Sequence, residues 1–285
     1  MSLAFQSRKR KTTASINGDV VEASRIDITD IKLPRKFKEV SSVICNNKIH
    51  ILGDTYHYRL VDGEWEEVST IPYPIKYDTA SIWFTNTIYI ITDSSNYRAT
   101  YAWRDGKWEV ENGSSIDTCH VVYAHIGGGG VIYALGKKNT SSNFNFYKYS
   151  NGWSSQTNIS YDFRDGIAVT YNSAIHVIGS SVEDHCQKHY KWDGSQWSYV
   201  STLPIKVHYG KAVVYDNKIY AFNEDGKCII WNGSTWTEGT PLEFGMKYGS
   251  VIVYDNKIYY MGGMNPSGFL EYNSQNKICG LEIGG

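Results

Sequence analysis

The chain has 285 residues, 41% of them hydrophobic and 14% aromatic, and a net charge of −1. This composition can supply a large buried core, and its many Tyr and Trp residues favour strands over helices. The small net charge argues against nucleic acid as a partner. No apolar run is long enough for a transmembrane helix, so no membrane partner is expected. No apolar signal-peptide core follows the first Met, which predicts a virion or cytoplasmic location.

The first predicted segment is a basic arm, residues 1–22. It carries four consecutive cationic side chains, Arg8, Lys9, Arg10 and Lys11. Such a run suits an acidic surface, and we expect the arm to contact other protein subunits of an assembly. The remaining residues, 23–285, are predicted to form one domain, because a repeat runs through them.

That repeat is marked by an Ile-aromatic pair that recurs six times. The second members of the pairs are His50, Tyr89, Tyr133, His176, Tyr220 and Tyr259, spaced 39, 44, 43, 44 and 39 residues apart. The last two copies are close to identical, since Val213–Tyr220 returns as Ile252–Tyr259. Six copies at a regular spacing predict a repeat architecture.

Each copy contains the pattern of four short strands. In the fifth copy we predict strands at 211–215, 218–222, 228–231 and 235–238, separated by Asn- and Gly-containing turns. An Asp-Gly or Asn-Gly turn precedes a tryptophan in five copies, at Trp65, Trp108, Trp153, Trp197 and Trp236. Four antiparallel strands repeated six times predict an all-β, six-bladed β-propeller.

The Ile-Tyr-x-x-Gly stretch, the spaced tryptophans and the following Leu-Pro resemble kelch repeats over roughly residues 25–283. The paired glycines of that family are present as Gly262-Gly263. Other copies have Gly53-Asp54, Leu135-Gly136, Ile178-Gly179 and Phe222-Asn223 at this place. The resemblance implies a kelch-like six-bladed propeller.

The sixth copy lacks the tryptophan of the fourth strand, so another segment must complete the last blade. Two segments fit, an N-terminal strand at about residues 24–29 and the C-terminal run 277–283. Such a strand is needed because an unpaired sheet edge leaves backbone groups without partners. We favour the N-terminal strand.

The two ends of the propeller are predicted to differ in function. One end carries tight Asp-Asn, Asn-Gly and Asp-Gly turns, and the other carries longer loops at 137–145, 180–188 and 262–268. Variable loops on a rigid scaffold usually carry function. At that end, the residues entering each first strand are expected to ring the mouth of the central channel. They are Lys38, Glu39, Tyr77, Asp78, Arg164, Asp165, His208, Tyr209, Lys247 and Tyr248.

This ring is suited to a glycan or a peptide side chain, although propeller channels are also polar simply because they are wet. We predict no cofactor and no metal site. His185 and His189 lie near Glu183 and Cys186, but four-residue spacing suits a helix, and here we expect a solvated loop. The odd number of cysteines, five, favours reduced and mostly buried thiols.

Three functions fit these features. The favoured interpretation is a non-catalytic interaction or assembly module, such as a tail, neck or receptor-binding subunit of a phage or viral particle, because no nucleophile–base spacing stands out. The first alternative is a carbohydrate-binding protein or an enzyme similar to kelch-type sialic acid mutarotases. That resemblance would place the site at Glu39, Asp78, Arg164 and Asp165. The second alternative resembles kelch adaptors that recruit other proteins.

Overall fold

The computed structural model describes residues 12–16, 19–23, 32–37, 39–75, 79–94, 97–111, 122–125, 131–137, 144–150, 152–159, 162–242, 245, 247–263 and 278–281. Strands make up almost all of its regular structure, with a single 3-10 turn at Glu183–His185 among these residues. Within the same part of the chain, no helix has the length and apolar character needed to span a membrane.

The strands form a hairpin followed by six sheets in chain order. The hairpin pairs β1 (Thr12–Ile16) with β2 (Asp19–Ala23). Blade 1 consists of β3 (Val40–Cys45), β4 (Lys48–Gly53), β5 (Tyr56–Val61) and β6 (Glu64–Thr70). Blade 2 consists of β7 (Ala80–Phe84), β8 (Thr87–Ser94), β9 (Tyr97–Arg104) and β10 (Lys107–Val110). Blade 3 consists of β11 (Val122–His125), β12 (Ile132–Lys137), β13 (Phe144–Tyr149) and β14 (Trp153–Ser155).

The later sheets follow the same order. Blade 4 consists of β15 (Ile167–Tyr171), β16 (Ala174–Ile178), β17 (Lys188–Trp192) and β18 (Trp197–Thr202). Blade 5 consists of β19 (Lys211–Tyr215), β20 (Lys218–Phe222), β21 (Cys228–Trp231) and β22 (Trp236–Gly239). The last sheet consists of β23 (Ser250–Tyr254), β24 (Lys257–Met261) and β25 (Ile278–Leu281).

Each strand pairs antiparallel with the next in its sheet, as predicted for a propeller with four-stranded blades. The described residues form five complete blades, however, rather than the six that the repeats predict. The sixth repeat contributes a three-stranded sheet in which Ile278–Leu281 pairs with β24 and so takes the third position, not the fourth. The segment 24–29, predicted to close the ring, lies outside the described residues.

Apolar side chains join each sheet to the next. Six hydrophobic clusters lie at the six boundaries, and the cluster containing Leu33, Val40 and Ile252 joins the last sheet to blade 1. The first strands β23 and β3 also lie side by side. Blade faces therefore form the core, and the ring is closed by contact between its first and last sheets.

Polar contacts add to this closing boundary. The Val40 N–H donates to the Tyr248 carbonyl at 3.2 Å, and the Ser42 and Ser250 hydroxyl oxygens lie 2.6 Å apart. The Tyr254 hydroxyl donates to the Asn47 carbonyl at 3.1 Å. These residues are separated by more than 200 positions in sequence, so the boundary depends on long-range contacts.

The tight turns gather at one end, as predicted. Both central residues of the turn between the first and second strands have positive φ, for example Asp216 at 46° and Asn217 at 51°. Asn and Asp tolerate this left-handed conformation better than most residues, which explains their use in two-residue hairpins. Three cysteines of the described part, Cys45, Cys186 and Cys228, are buried free thiols.

Candidate functional site

Three of the ten predicted channel-mouth residues, Lys38, Tyr77 and Asp78, lie outside the described residues, as does the basic run 8–11. The other seven are in the links that lead into first strands, at the end opposite the tight turns. They are Glu39, Arg164, Asp165, His208, Tyr209, Lys247 and Tyr248.

Three of these residues share one backbone conformation. Asp165, Tyr209 and Tyr248 have φ values of 54°, 50° and 62°, in the left-handed region. The Tyr209 N–H donates to the Asp165 carbonyl at 3.0 Å, which ties the link of one blade to that of the next. A left-handed residue other than Gly costs about 1–2 kcal/mol, so the surrounding structure holds these side chains at the mouth.

The most concentrated chemistry lies between blade 5 and the last sheet. The Glu224 carboxylate is 2.8 Å from His208 Nδ1 and 3.6 Å from Lys247 Nζ. The side chains of Glu224, His208 and Lys247 are 16%, 30% and 24% exposed. They are therefore partly shielded but still open to a small ligand. A carboxylate flanked by an imidazole and an ammonium group can accept and return a proton.

Two phenol rings border this triad of Glu224, His208 and Lys247. The Lys247 ammonium lies 3.9 Å from the centre of the Tyr209 ring, a cation–π distance. The Tyr248 ring meets the Tyr209 ring edge-on with centroids 5.7 Å apart. Aromatic faces beside charged groups suit a ligand with both apolar and hydroxylated surfaces.

A small loop between β20 and β21 presents Glu224. The Asn223 side-chain oxygen accepts hydrogen bonds from the backbone N–H groups of Asp225 and Lys227, at 3.1 and 2.9 Å. Asn223 is itself buried. This side chain therefore fixes the loop backbone and, with it, the direction of Glu224.

Arg164 belongs to a neighbouring part of the mouth. Its guanidinium donates to the Asp162 carboxylate at 2.9 Å. His185 Nδ1 lies 3.0 Å from the Asp162 carbonyl. A hydrogen bond from Lys206 holds the pKa of the exposed Glu183 below its usual value. The loop between β16 and β17 thus packs on the links that carry Arg164 and His208.

Sequence reasoning missed Glu224 and Asp162. The available signal for Glu224 was a departure from the repeat, because Phe222-Asn223 replaces the paired glycines of the kelch pattern and an acidic residue follows. Asp162 carried no comparable signal, since it lies three residues before Asp165 and outside the predicted ring of residues. Both contacts depend on how links from different blades approach each other.

The prediction that His189 lies in a solvated loop is wrong. Glu183–His185 does lie in the loop, but His189 belongs to β17 and is fully buried. Its side chain points into the boundary with blade 5, against Trp231 and Trp236. The spacing of His185 and His189 along the chain could not reveal the burial of His189, because it does not show that β17 begins between them, at Lys188.

The opposite end of the channel has mostly apolar walls. A cavity of about 600 Å³ there is lined by first strands of blades 1, 2, 4 and 5 and of the last sheet, with Ile44, Phe84 and Val253 among its walls. Trp83 and Val214 line it and are 40% and 37% exposed. The described residues that line this cavity carry no ionisable side chain, in contrast to those of the loop end.

Comparison with known proteins supports the fold. No family model matches the chain, and no curated protein matches its sequence. A solved structure titled "Structure of YjhT" superposes with a TM-score of 0.72. The aligned residues are 13% identical and cover 88% of this chain and 96% of that one. The chain folds as a β-propeller. At this identity the likeness to the YjhT structure concerns the fold alone.

Proposed function

We propose that the loop end of this propeller binds an acidic sugar and accelerates its mutarotation. The observation that carries the proposal is the partly shielded triad of Glu224, His208 and Lys247 beside two phenol rings. The repeats resemble kelch repeats, and the kelch-type sialic acid mutarotases make a sugar carboxylate the first substrate class to test.

The triad contains the groups that this reaction needs. Mutarotation removes the proton of the anomeric hydroxyl, breaks the bond from the anomeric carbon to the ring oxygen, and returns a proton to that oxygen before the ring closes on the other face. Glu224 is the candidate base, and His208, 2.8 Å away, is the candidate acid. Lys247 supplies positive charge for the sugar carboxylate.

The test is anomer exchange of N-acetylneuraminic acid, followed by proton NMR. We expect the wild-type protein to accelerate the exchange. Glu224→Gln should lose at least about 100-fold of that acceleration, because it removes the base but keeps the shape. Lys247→Met should instead weaken binding, measured by calorimetry as about a tenfold higher Kd.

Glu66→Gln is the matched control, because Glu66 pairs with Arg59 at 2.8 Å on the outer part of blade 1. It should behave as wild type. An anomer exchange rate that excess wild-type protein leaves unchanged would rule out the mutarotase activity. Binding without acceleration would leave a carbohydrate-binding protein.

We also infer that the ring has six kelch-like blades. The three-stranded sheet lies between blade 5 and blade 1 and packs on both. Leu33 is buried in the hydrophobic cluster between this sheet and blade 1. In blade 4, Leu203 lies six residues after the fourth-strand Trp197, and Leu33 lies six residues after Asp27. Asp27 therefore stands at the place of a fourth-strand residue. Residues 24–29 would then supply the fourth strand of this sheet.

The assembly role gains less from the geometry. It rests on the basic run 8–11 and on the absence of a nucleophile–base spacing in the sequence, and that run lies outside the described residues. An N-terminal hairpin, β1 with β2, forms a sheet of its own within the described part of the chain. Contact of the arm with other subunits stays a prediction.

A further inference from the structure

Two pairs of buried histidines occupy the same place in two different blades. His50 on β4 and His57 on β5 are 2% and 0% exposed, and His176 on β16 and His189 on β17 are 5% and 0% exposed. In each pair, Nδ1 of the first ring lies 2.7–2.8 Å from Nε2 of the second. The ring centroids are 5.0 Å apart in both pairs.

Each pair faces two tryptophans of the following blade. The His57 ring lies 5.0 and 5.6 Å from the rings of Trp103 and Trp108 in blade 2. The His189 ring lies 5.0 and 5.3 Å from those of Trp231 and Trp236 in blade 5. The histidines therefore form part of the boundary between two blades.

The hydrogen bonds assign one protonation state to the second pair. Trp236 Nε1–H donates to His189 Nδ1 at 3.3 Å, so that nitrogen is an acceptor. The proton of His189 is then on Nε2, and it is donated to His176 Nδ1 at 2.7 Å. A second proton on His189 Nδ1 would face the indole N–H, so two donors would oppose each other.

We propose that the two pairs are proton-sensitive latches, which hold blade 1 against blade 2 and blade 4 against blade 5 at neutral pH and loosen them in acid. Protonation places a charge in a buried site and, in blade 4, opposes two donors. In blade 1 the neighbour of His57 Nδ1 is the Ser69 hydroxyl, at 3.1 Å. The Ser201 hydroxyl lies 3.4 Å from His189 Nδ1 beside the indole N–H, so each pair contains a hydroxyl that can turn to accept a proton.

Most of the surroundings work in the same direction. The exception is Tyr171, whose ring lies 5.4 Å from the His176 ring and whose backbone hydrogen bond raises the pKa of His176. Lys48 and Arg59 are the charged groups acting on the first pair, and Lys191 acts on the second. Serine hydroxyls face the pairs from the fourth strands, and the following blade presents uncharged indoles. Burial, the largest cause, lowers the pKa of His50 and His176 to about 4 and that of His57 and His189 to about 3.

The sign of the pH effect follows from these lowered values. The unfolded chain takes up protons near pH 6.5, whereas the folded chain does so only near pH 4 to 3. Stability from the pairs is therefore complete above pH 6.5 and is lost as the pH falls. Each imidazole raises the unfolding equilibrium constant up to about tenfold per pH unit in this window.

Blade 3 provides a natural control. Tyr133 and Phe146 occupy the equivalent register positions, and their rings stack with centroids 5.3 Å apart. Phe146 also faces two tryptophans of the next blade, Trp192 and Trp197. The chain thus already builds this boundary with a pair that takes up no proton in the acidic range, since burial raises the pKa of the Tyr133 phenol further above its usual value.

The test compares melting temperatures between pH 7 and pH 5 for the wild-type protein and two double variants, His50→Tyr with His57→Phe and His176→Tyr with His189→Phe. We expect the wild-type Tm to fall by about 5–15 °C. Each double variant should lose a clear part of that fall. A variant that keeps the full wild-type fall would overturn the proposal.

Two measurements on the wild-type protein keep the proposal testable if a variant does not fold. Nitrogen NMR of labelled histidine should show four imidazoles that stay neutral at pH 5, with the proton on Nε2 in the blade 4 pair. Titration of these rings near pH 6.5 would contradict it. A rise in Tm with zinc chloride, reversed by EDTA, would also contradict it, because it would indicate metal ligands rather than hydrogen-bonded rings.

Discussion

At the scale of single residues, a glycine of the repeat is required by a close backbone contact. Gly179 directly follows β16 and has a φ of 69°, and a Cβ added there would collide with the Val207 carbonyl oxygen. The neighbouring Ser180 N–H donates to that same carbonyl at 2.9 Å. The glycine therefore allows the link before β19, which carries His208 and Tyr209, to lie against blade 4.

Gly179→Ala should accordingly lower the free energy of unfolding by about 3–5 kcal/mol, because it adds a collision to a left-handed backbone. Gly63→Ala is the control. Gly63 has φ of 86° with no atom within 4 Å of an added Cβ, so only the conformational cost of about 1–2 kcal/mol applies. Urea unfolding measures both, and equal losses would show that the close contact is unimportant.

At the scale of strands, the tryptophans of the fourth strands connect neighbouring blades. Trp153 Nε1–H donates to Thr100 of blade 2 at 2.9 Å, and Trp236 Nε1–H donates to His189 of blade 4. The fourth-strand tryptophan of one blade thus reaches the third strand of the blade before it. The recurring residue therefore serves the contact between blades as well as its own sheet.

Trp236→Ala should cost about 3–5 kcal/mol, because it removes a large ring from the boundary between blades 4 and 5. Trp83→Ala is a suitable comparison, since Trp83 is 40% exposed at the channel end and should cost about 1 kcal/mol or less. Denaturant unfolding gives both values. A loss below about 1 kcal/mol for Trp236→Ala would contradict its place between blades.

The strands and their order could be predicted because they repeat. The fifth copy was predicted within one residue at every boundary, since its turns contain Asn-Gly and Asp-Asn. Glu224, Asp162 and the histidine pairs could not be predicted, because each depends on contact between different blades. His50 and His176 were visible only as aromatic members of the repeat, and their partners lie 7 and 13 residues away.

At the scale of the whole molecule, stability depends on a closed ring. Each of the six sheets of the ring has apolar clusters on two sides, and those of the last sheet include Ile252 towards blade 1 and Ile258 towards blade 5. A solenoid can lose a terminal repeat and keep its fold, because each repeat contacts only its neighbours in a line. A ring that loses one repeat exposes two apolar faces at once.

Removing residues 250–285 should therefore abolish cooperative thermal unfolding and expose apolar surface, as followed by near-UV circular dichroism and dye binding. Gly179→Ala provides the comparison, because it lowers stability but keeps the ring. A truncated protein with a sharp transition and a native near-UV spectrum would show that closure is not required.

The closing boundary also has a consequence for synthesis in the cell. Ser42 and Ser250, which touch across it, are separated by 208 positions. Ribosomes add about 5–20 residues per second, so about 10–40 s pass between the translation of its two sides. During that interval the apolar face of blade 1, with Val40 and Ile51, has no partner. Nascent chains of this protein should therefore depend on chaperones until the last repeat leaves the ribosome.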